Sequence, residues 1–96
     1  MDILVTYDVS TETAAGRKRL RKVAELCLGY GQRVQKSVFE CSLTEMQLTT
    51  FQHALLHCID PEEDSLRLYR LPQPRARYLW TYGVQHDIDY RGPLIV

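Results

Sequence analysis

Asp2-Ile3-Leu4-Val5-Thr6-Tyr7-Asp8-Val9 is the stretch on which the rest of the chain depends. It is a short apolar run rich in β-formers, and residues 3–7 read as a strand. Three consecutive aliphatics without clear alternation predict a central strand, covered on both faces or nearly so. Asp8 falls where that strand leaves the sheet, and a helix with a basic face follows a few residues later. An acid so placed is a candidate for holding a divalent metal against a phosphate backbone. The plainer alternative is an acid that caps the turn at Ser10-Thr11.

Outward from this strand, Ser10-Thr11-Glu12-Thr13 supplies a turn with candidate N-caps. Leu20, Val23, Ala24 and Cys27 recur at three and four residues and predict a helix over about residues 13–28. Arg17, Arg21 and Lys22 fall on or near its opposite side. Gly29 and Gly31 bracket the expected stop, where a left-handed residue would close the helix. In the next stretch Phe39, Cys41 and Leu43 share one phase of an alternating pattern, while Val34 and Val38 take the other. The phase break near Lys36-Ser37 predicts two short paired strands, or one long bulged strand.

Thr44 and Gln47 match a capping box. A second helix then runs to about residue 59, burying Met46 or Leu48 together with Phe51, Leu55 and Cys58. Asp60-Pro61 ends it, since proline cannot continue the hydrogen-bond ladder. Residues 64–71 read as a strand. Pro72 and Pro74 break regular structure, and residues 76–83, with Tyr78, Leu79, Trp80 and Tyr82, read as a further strand.

The order is β-α-β-β-α-β with an extra C-terminal strand, all in one domain spanning residues 1–96. That order predicts an α+β, ferredoxin-like sandwich: a four-stranded antiparallel sheet with both helices on one face. The other face is then open, so a partner or the C-terminal tail must cover it.

At 96 residues a single core is feasible but small, and a shared interface would add stability. Apolar residues make up 45% and charged residues 25%, with a formal net charge of zero, so no global attraction to nucleic acid exists. The distribution is uneven. Residues 16–36 hold seven basic side chains (Arg17, Lys18, Arg19, Arg21, Lys22, Arg33, Lys36) against one acid, Glu25. Acids gather instead at Asp60, Glu62, Glu63 and Asp64. Unbalanced like charges repel one another, so the density at 17–22 points to an external anion. The bland reading is a solvated charged face.

Three widely spaced cysteines argue against a disulfide framework or a zinc site, and a reducing cytoplasm is the simplest home. Neither a signal peptide nor a membrane span is expected, and no small organic cofactor. His53 and His57 lie four apart but lack the intervening glutamate of a zinc protease motif. No Ser-His-Asp set, CxxC pair or glycine-rich phosphate loop can be assembled. Tyr78, Trp80 and Tyr82 could stack bases, but fit a dimer seam better. A lone Asp8 offers too few oxygens for a divalent ion, so the metal reading requires a two-fold dimer that brings a second Asp8.

Three segments carry a family resemblance: Tyr7-Asp8-Val9 at the end of the first strand, the basic helix beginning Arg17-Lys18-Arg19, and Gly31-Gln32-Arg33-Val34-Gln35-Lys36-Ser37-Val38-Phe39-Glu40. Together they resemble the small CRISPR-associated spacer-acquisition proteins, here called the Cas-two family. The likeness extends through the second helix and Arg67-Leu68-Tyr69-Arg70-Leu71. The ending Gly92-Pro93-Leu94-Ile95-Val96 resembles a subset tied to one CRISPR subtype. The resemblance implies a ferredoxin-like homodimer in which residues from about 75 to 96 extend the partner's sheet. It implies a metal-dependent endonuclease that cuts single-stranded RNA or double-stranded DNA, using Mg²⁺ or Mn²⁺. It also implies a bridge within an integrase complex that inserts foreign DNA into a CRISPR array. By resemblance, Asp8 is the metal ligand and catalytic residue. Tyr7, Arg17, Arg19 and Arg33 serve nucleic-acid binding, and Phe39 shapes the dimer cleft. Two other readings stand beside the nuclease: a non-catalytic DNA-binding scaffold of the integration complex, and a ferredoxin-like regulatory dimer that binds a small anion.

Overall fold

Strand β1 (Asp2–Asp8) lies inside a four-stranded sheet of order β2-β3-β1-β4, where β2 is Gly31–Gln35, β3 is Val38–Ser42 and β4 is Ser65–Leu71. The structure, a computed structural model, describes residues 1–85. Helix α1 (Ala14–Tyr30) connects β1 to β2, and helix α2 (Glu45–Cys58) connects β3 to β4. Every paired neighbour is antiparallel, with Val5 opposite Phe39 on one side and Leu68 on the other. This is the ferredoxin-like arrangement expected from the element order.

The pleat sorts β1 into two faces. Ile3, Val5, Tyr7 and Val9 are buried under the helices with Phe39, Cys41 and Leu43 from the β3 side of the sheet. Val23 and Cys27 of α1 and Phe51 and Leu55 of α2 close the core from above. Each such side chain contributes about 1.5–3 kcal/mol when fully buried. Tyr30 of α1 stacks on Phe51 at 4.4 Å between ring centroids, which ties the two helices together. Burial pushes the Cys27 thiol up to about 12, so it behaves as a small protonated core group.

The opposite face carries Asp2, Leu4, Thr6 and Asp8, with Leu4 flanked by Glu40 and Tyr69 in register. β1 is therefore covered fully on one face only; Leu4 and Thr6 are half-buried. Part of the open face is covered by the chain itself. Leu79, Trp80, Thr81 and Tyr82 lie over Val34, Val38 and Glu40, enclosing a cavity of about 340 Å³. Arg75 anchors that segment through a 3.1 Å ion pair to Glu40.

Several boundaries differ from those read in the sequence. Helix α1 continues through Gly29 to Tyr30, and Gly31 is extended (φ −159°), opening β2 rather than closing the helix in a left-handed turn. Gly31 is required for a different reason: a Cβ there would collide with the Glu40 carbonyl and the Cys41 sulfur. Met46 is 80% exposed, so Leu48 takes its place beside the α2 stripe. The capping box is present, with Thr44 Oγ1 accepting from the Gln47 amide at 3.1 Å. The two short strands are present too, with the register irregular between Arg33 and Gln35.

No strand forms within residues 76–83. A 3₁₀ turn at Arg75–Arg77 precedes an irregular segment. The segment lies across a sheet face, where no row of backbone groups is free to pair with it. The expected C-terminal tail, including Gly92-Pro93-Leu94-Ile95-Val96, falls outside the described residues. Among the described residues no helix is long and apolar enough to cross a membrane.

Candidate nucleic-acid and metal site

Asp8 is the last residue of β1 and is exposed. Its side chain makes no hydrogen bond or ion pair among the described residues. It does not cap the following turn, because the Ser10 amide donates to Asp64 Oδ1 instead, at 3.1 Å. An exposed acid with no structural duty is free to bind a cation.

Asp8 lies at a cleft of about 560 Å³ between α1 and the β2–β3 turn. Tyr7, Arg21, Arg33, Lys36 and Ser37 line it, over an apolar floor of Val9, Leu20 and Ala24. Three cations thus face one carboxylate. Neither Arg21, Arg33 nor Lys36 enters either of the ion pairs formed among the described residues, Arg19–Asp64 and Arg75–Glu40.

Tyr7 is buried and organises the rear of the cleft. Its hydroxyl donates to the Lys36 carbonyl at 3.3 Å, which fixes the turn. Arg33 in turn donates to the Tyr7 oxygen. Burial pushes the Tyr7 phenol above its ordinary value, while the Arg33 hydrogen bond opposes that rise, so the phenol stays protonated near neutral pH. The Arg33 guanidinium sits 5.0 Å from the centre of the Phe39 ring, a cation–π contact, and Phe39 stacks on Tyr7 at 6.1 Å. Arg33 Nε is buried and has no hydrogen-bond partner. Phe39 is fully buried, so its role is to support Arg33 from beneath; it lines no surface itself.

Two of the expected phosphate ligands stand apart from this cleft. Arg17 is exposed and donates to the Thr11 carbonyl at 3.0 Å. Arg19 is turned away and committed to Asp64, with Nε to Oδ2 at 2.8 Å and a second contact to Oδ1 at 3.3 Å. The Asp64 side chain has no exposed surface and also accepts from the Ser10 and Asp60 amides. This pair joins the start of α1, the loop before it and the loop after α2. Arg19 is therefore a structural tie. Sequence reading placed Arg21 and Lys36 in the basic patch but assigned neither to the site. Their signal was weak: Arg21 is one of five cations in a row of six, and Lys36 lies fifteen residues away.

Among the described residues no three His, Cys, Asp or Glu side chains converge as a metal site. The donors present do not complete the coordination of Mg²⁺ within one chain. Asp8 shares the uncovered face with Leu4 and Thr6, so a second copy set on that face would bring its own Asp8 toward the first. The fit is that of half a site.

Residues 1–77 match the family described as CRISPR associated protein Cas2. The chain is 59% identical over its full length, and the full length of the relative, to a CRISPR-associated endoribonuclease Cas2 of Moorella thermoacetica. It is 50% identical over 95 residues to a CRISPR-associated endonuclease Cas2 of Halalkalibacterium halodurans, covering 99% of both chains. Among solved structures it is similar to the crystal structure of Streptococcus pyogenes Cas2 at pH 6.5, at 55% identity and a TM-score of 0.78. That likeness covers 86% of this chain and all of the other.

Proposed function

This chain belongs to the CRISPR-associated Cas2 family, and from that premise we propose that it is a metal-dependent endonuclease cutting RNA or DNA phosphodiesters as a homodimer in CRISPR adaptation. The observation that carries the reading is Asp8: exposed, without a structural partner, at a cleft whose other charged residues are all cations. The relatives' names as endoribonuclease and endonuclease support it.

Two Asp8 carboxylates, one from each copy, would hold Mg²⁺ or Mn²⁺. When bound, such an ion polarises a phosphate oxygen and acidifies a water for attack on phosphorus. Asp8 supplies negative charge for the ion, and Arg33 neutralises charge that develops on the phosphate. The cations around Asp8 discourage a metal from binding alone, so the metal and the polyanion assist each other's binding. Tyr7 holds Arg33 and the β2–β3 turn in place and stays protonated.

The test is cleavage of matched RNA and DNA with Mg²⁺ or EDTA, wild type beside Asp8→Asn. Cleavage is expected to fall on the order of 1,000-fold in the variant, with the fold retained. Undiminished cleavage by a carefully repurified Asp8→Asn protein refutes the role.

The exposed basic surface outside the cleft favours a second reading. Lys18 and Lys22 are exposed and without partners, and neither lines the cleft. Such a surface suits a dimer that lies along a duplex as a scaffold, with the integrase subunit docked on it. Binding of this kind weakens steeply with salt. Spacer acquisition that survives Asp8→Asn but is lost in Lys18→Gln/Lys22→Gln cells supports the scaffold over the nuclease.

A further inference from the structure

We propose that Arg21, Arg33 and Lys36 form a three-cation cradle for one backbone phosphate beside Asp8, and that Arg21, not Arg19, is the phosphate ligand contributed by α1. The inference rests on the nucleic-acid reading above and names the ligand set for it.

Four observations carry it. Arg19 spends both of its forked contacts on a carboxylate with no exposed surface. A guanidinium so engaged has little positive field left for an outside anion. Arg21, two residues further on, faces the cleft instead and has no acidic partner; Glu25, one turn away, does not pair with it. Lys36 reaches the same cleft from the β2–β3 turn, and that turn is held by the Tyr7 hydroxyl on the Lys36 carbonyl. Arg33 lies between them with a buried Nε that no acceptor satisfies. A buried, unpartnered N–H of a charged group is costly, and an anion drawn against the guanidinium is the natural compensation for its uncancelled charge.

The cradle is asymmetric in stiffness. Arg33 is fixed by Phe39 and Tyr7, whereas Arg21 and Lys36 are exposed and adjustable. One rigid fork and two flexible arms suit a phosphate diester whose neighbours vary. Recognition of this kind is sequence-tolerant, since phosphate contacts position a strand without reading its bases.

The test is binding, kept separate from cleavage. A fluorescent, 2′-O-methylated oligoribonucleotide is titrated with the full chain in EDTA across a series of salt concentrations. Arg21→Gln and Lys36→Gln are each expected to weaken binding roughly tenfold. Each is also expected to flatten the slope of log affinity on log salt by about 0.7. Arg21→Lys and Lys36→Arg should keep the slope, because they keep the charge. Arg19→Gln, checked for folding by circular dichroism, should leave the slope unchanged. A slope that Arg21→Gln and Lys36→Gln leave intact, or that Arg19→Gln flattens equally, overturns the cradle, as does a wild type that does not bind. A wild type that binds through the cradle but cuts nothing in Mg²⁺ leaves the cradle standing and removes only the nuclease.

Discussion

Tyr7 shows how one side chain at the strand end serves both core and cleft. Its ring is buried against Phe39, while its hydroxyl links Arg33 to the Lys36 carbonyl. Tyr7→Phe keeps the ring and deletes the link. The expected loss is about 0.5–1.5 kcal/mol of stability, read from urea unfolding. A larger proportional loss of oligonucleotide affinity should accompany it, because Arg33 then has no hydroxyl to steer it. Asp8 was legible in the sequence as a strand-end acid, since the short apolar run of β-formers and the following turn place it there. The capping alternative was equally legible, and only the tertiary partner of Ser10 removes it. Arg19 was read as a phosphate ligand by family resemblance, and nothing in the local sequence distinguishes it from Arg21. Its partner Asp64 lies 45 residues away, and a pairing over that separation is set by how α1 meets the loop between α2 and β4.

At the scale of elements, the Arg19–Asp64 pair clamps α1 to the loop before it and to the loop after α2, and it carries a pH signature. Burial pushes the Asp64 carboxyl up, but hydrogen bonds from Arg19 and from the Asp60 and Ser10 amides outweigh burial and hold it below its ordinary value. The folded state therefore binds fewer protons than the unfolded state as pH falls through the carboxylate range near 3.9. The clamp's stabilisation is fully present above that range and is lost as pH drops through the depressed folded value. The gap in urea midpoint between wild type and Asp64→Asn should be widest near neutral pH and should shrink as pH falls below the ordinary carboxylate range near 3.9. A gap that is constant with pH would sink the clamp.

The helices and the first four strands were legible because their patterns have a period and their ends have chemistry. Leu20, Val23 and Cys27 form a helical stripe, Phe39, Cys41 and Leu43 alternate, and Thr44 with Gln47 makes the capping box. Residues 76–83 also alternate, through Tyr78, Trp80 and Tyr82, yet they form no strand in a single chain. A strand needs a free edge to pair with, and sequence pattern does not report whether one is available.

The whole molecule leaves an unfinished surface, and its completion is the condition for the chemistry proposed at Asp8. Helices cover one face of the sheet. Residues 79–82 cover only the β2–β3 half of the other, and cover it poorly: Trp80 is 72% and Tyr82 82% exposed. The β1–β4 half, with Leu4, Tyr69 and Leu71, has no cover among the described residues. A second copy set there about a two-fold axis would bury both halves at once, since an isologous contact places each residue against the same patch of its twin. Leu4→Glu tests this without disturbing the core, because Leu4 points away from the helices. A carboxylate buried at such a seam without a partner costs about 3 kcal/mol, or on the order of 100-fold in dissociation constant. Light scattering should show a dimer for wild type and a monomer for Leu4→Glu, with the same circular dichroism spectrum. Cleavage should then disappear along with the dimer although every residue of the cleft is intact, because one Asp8 does not hold the ion. A monomeric Leu4→Glu protein that still cuts in Mg²⁺ would place the whole of the metal site within one chain.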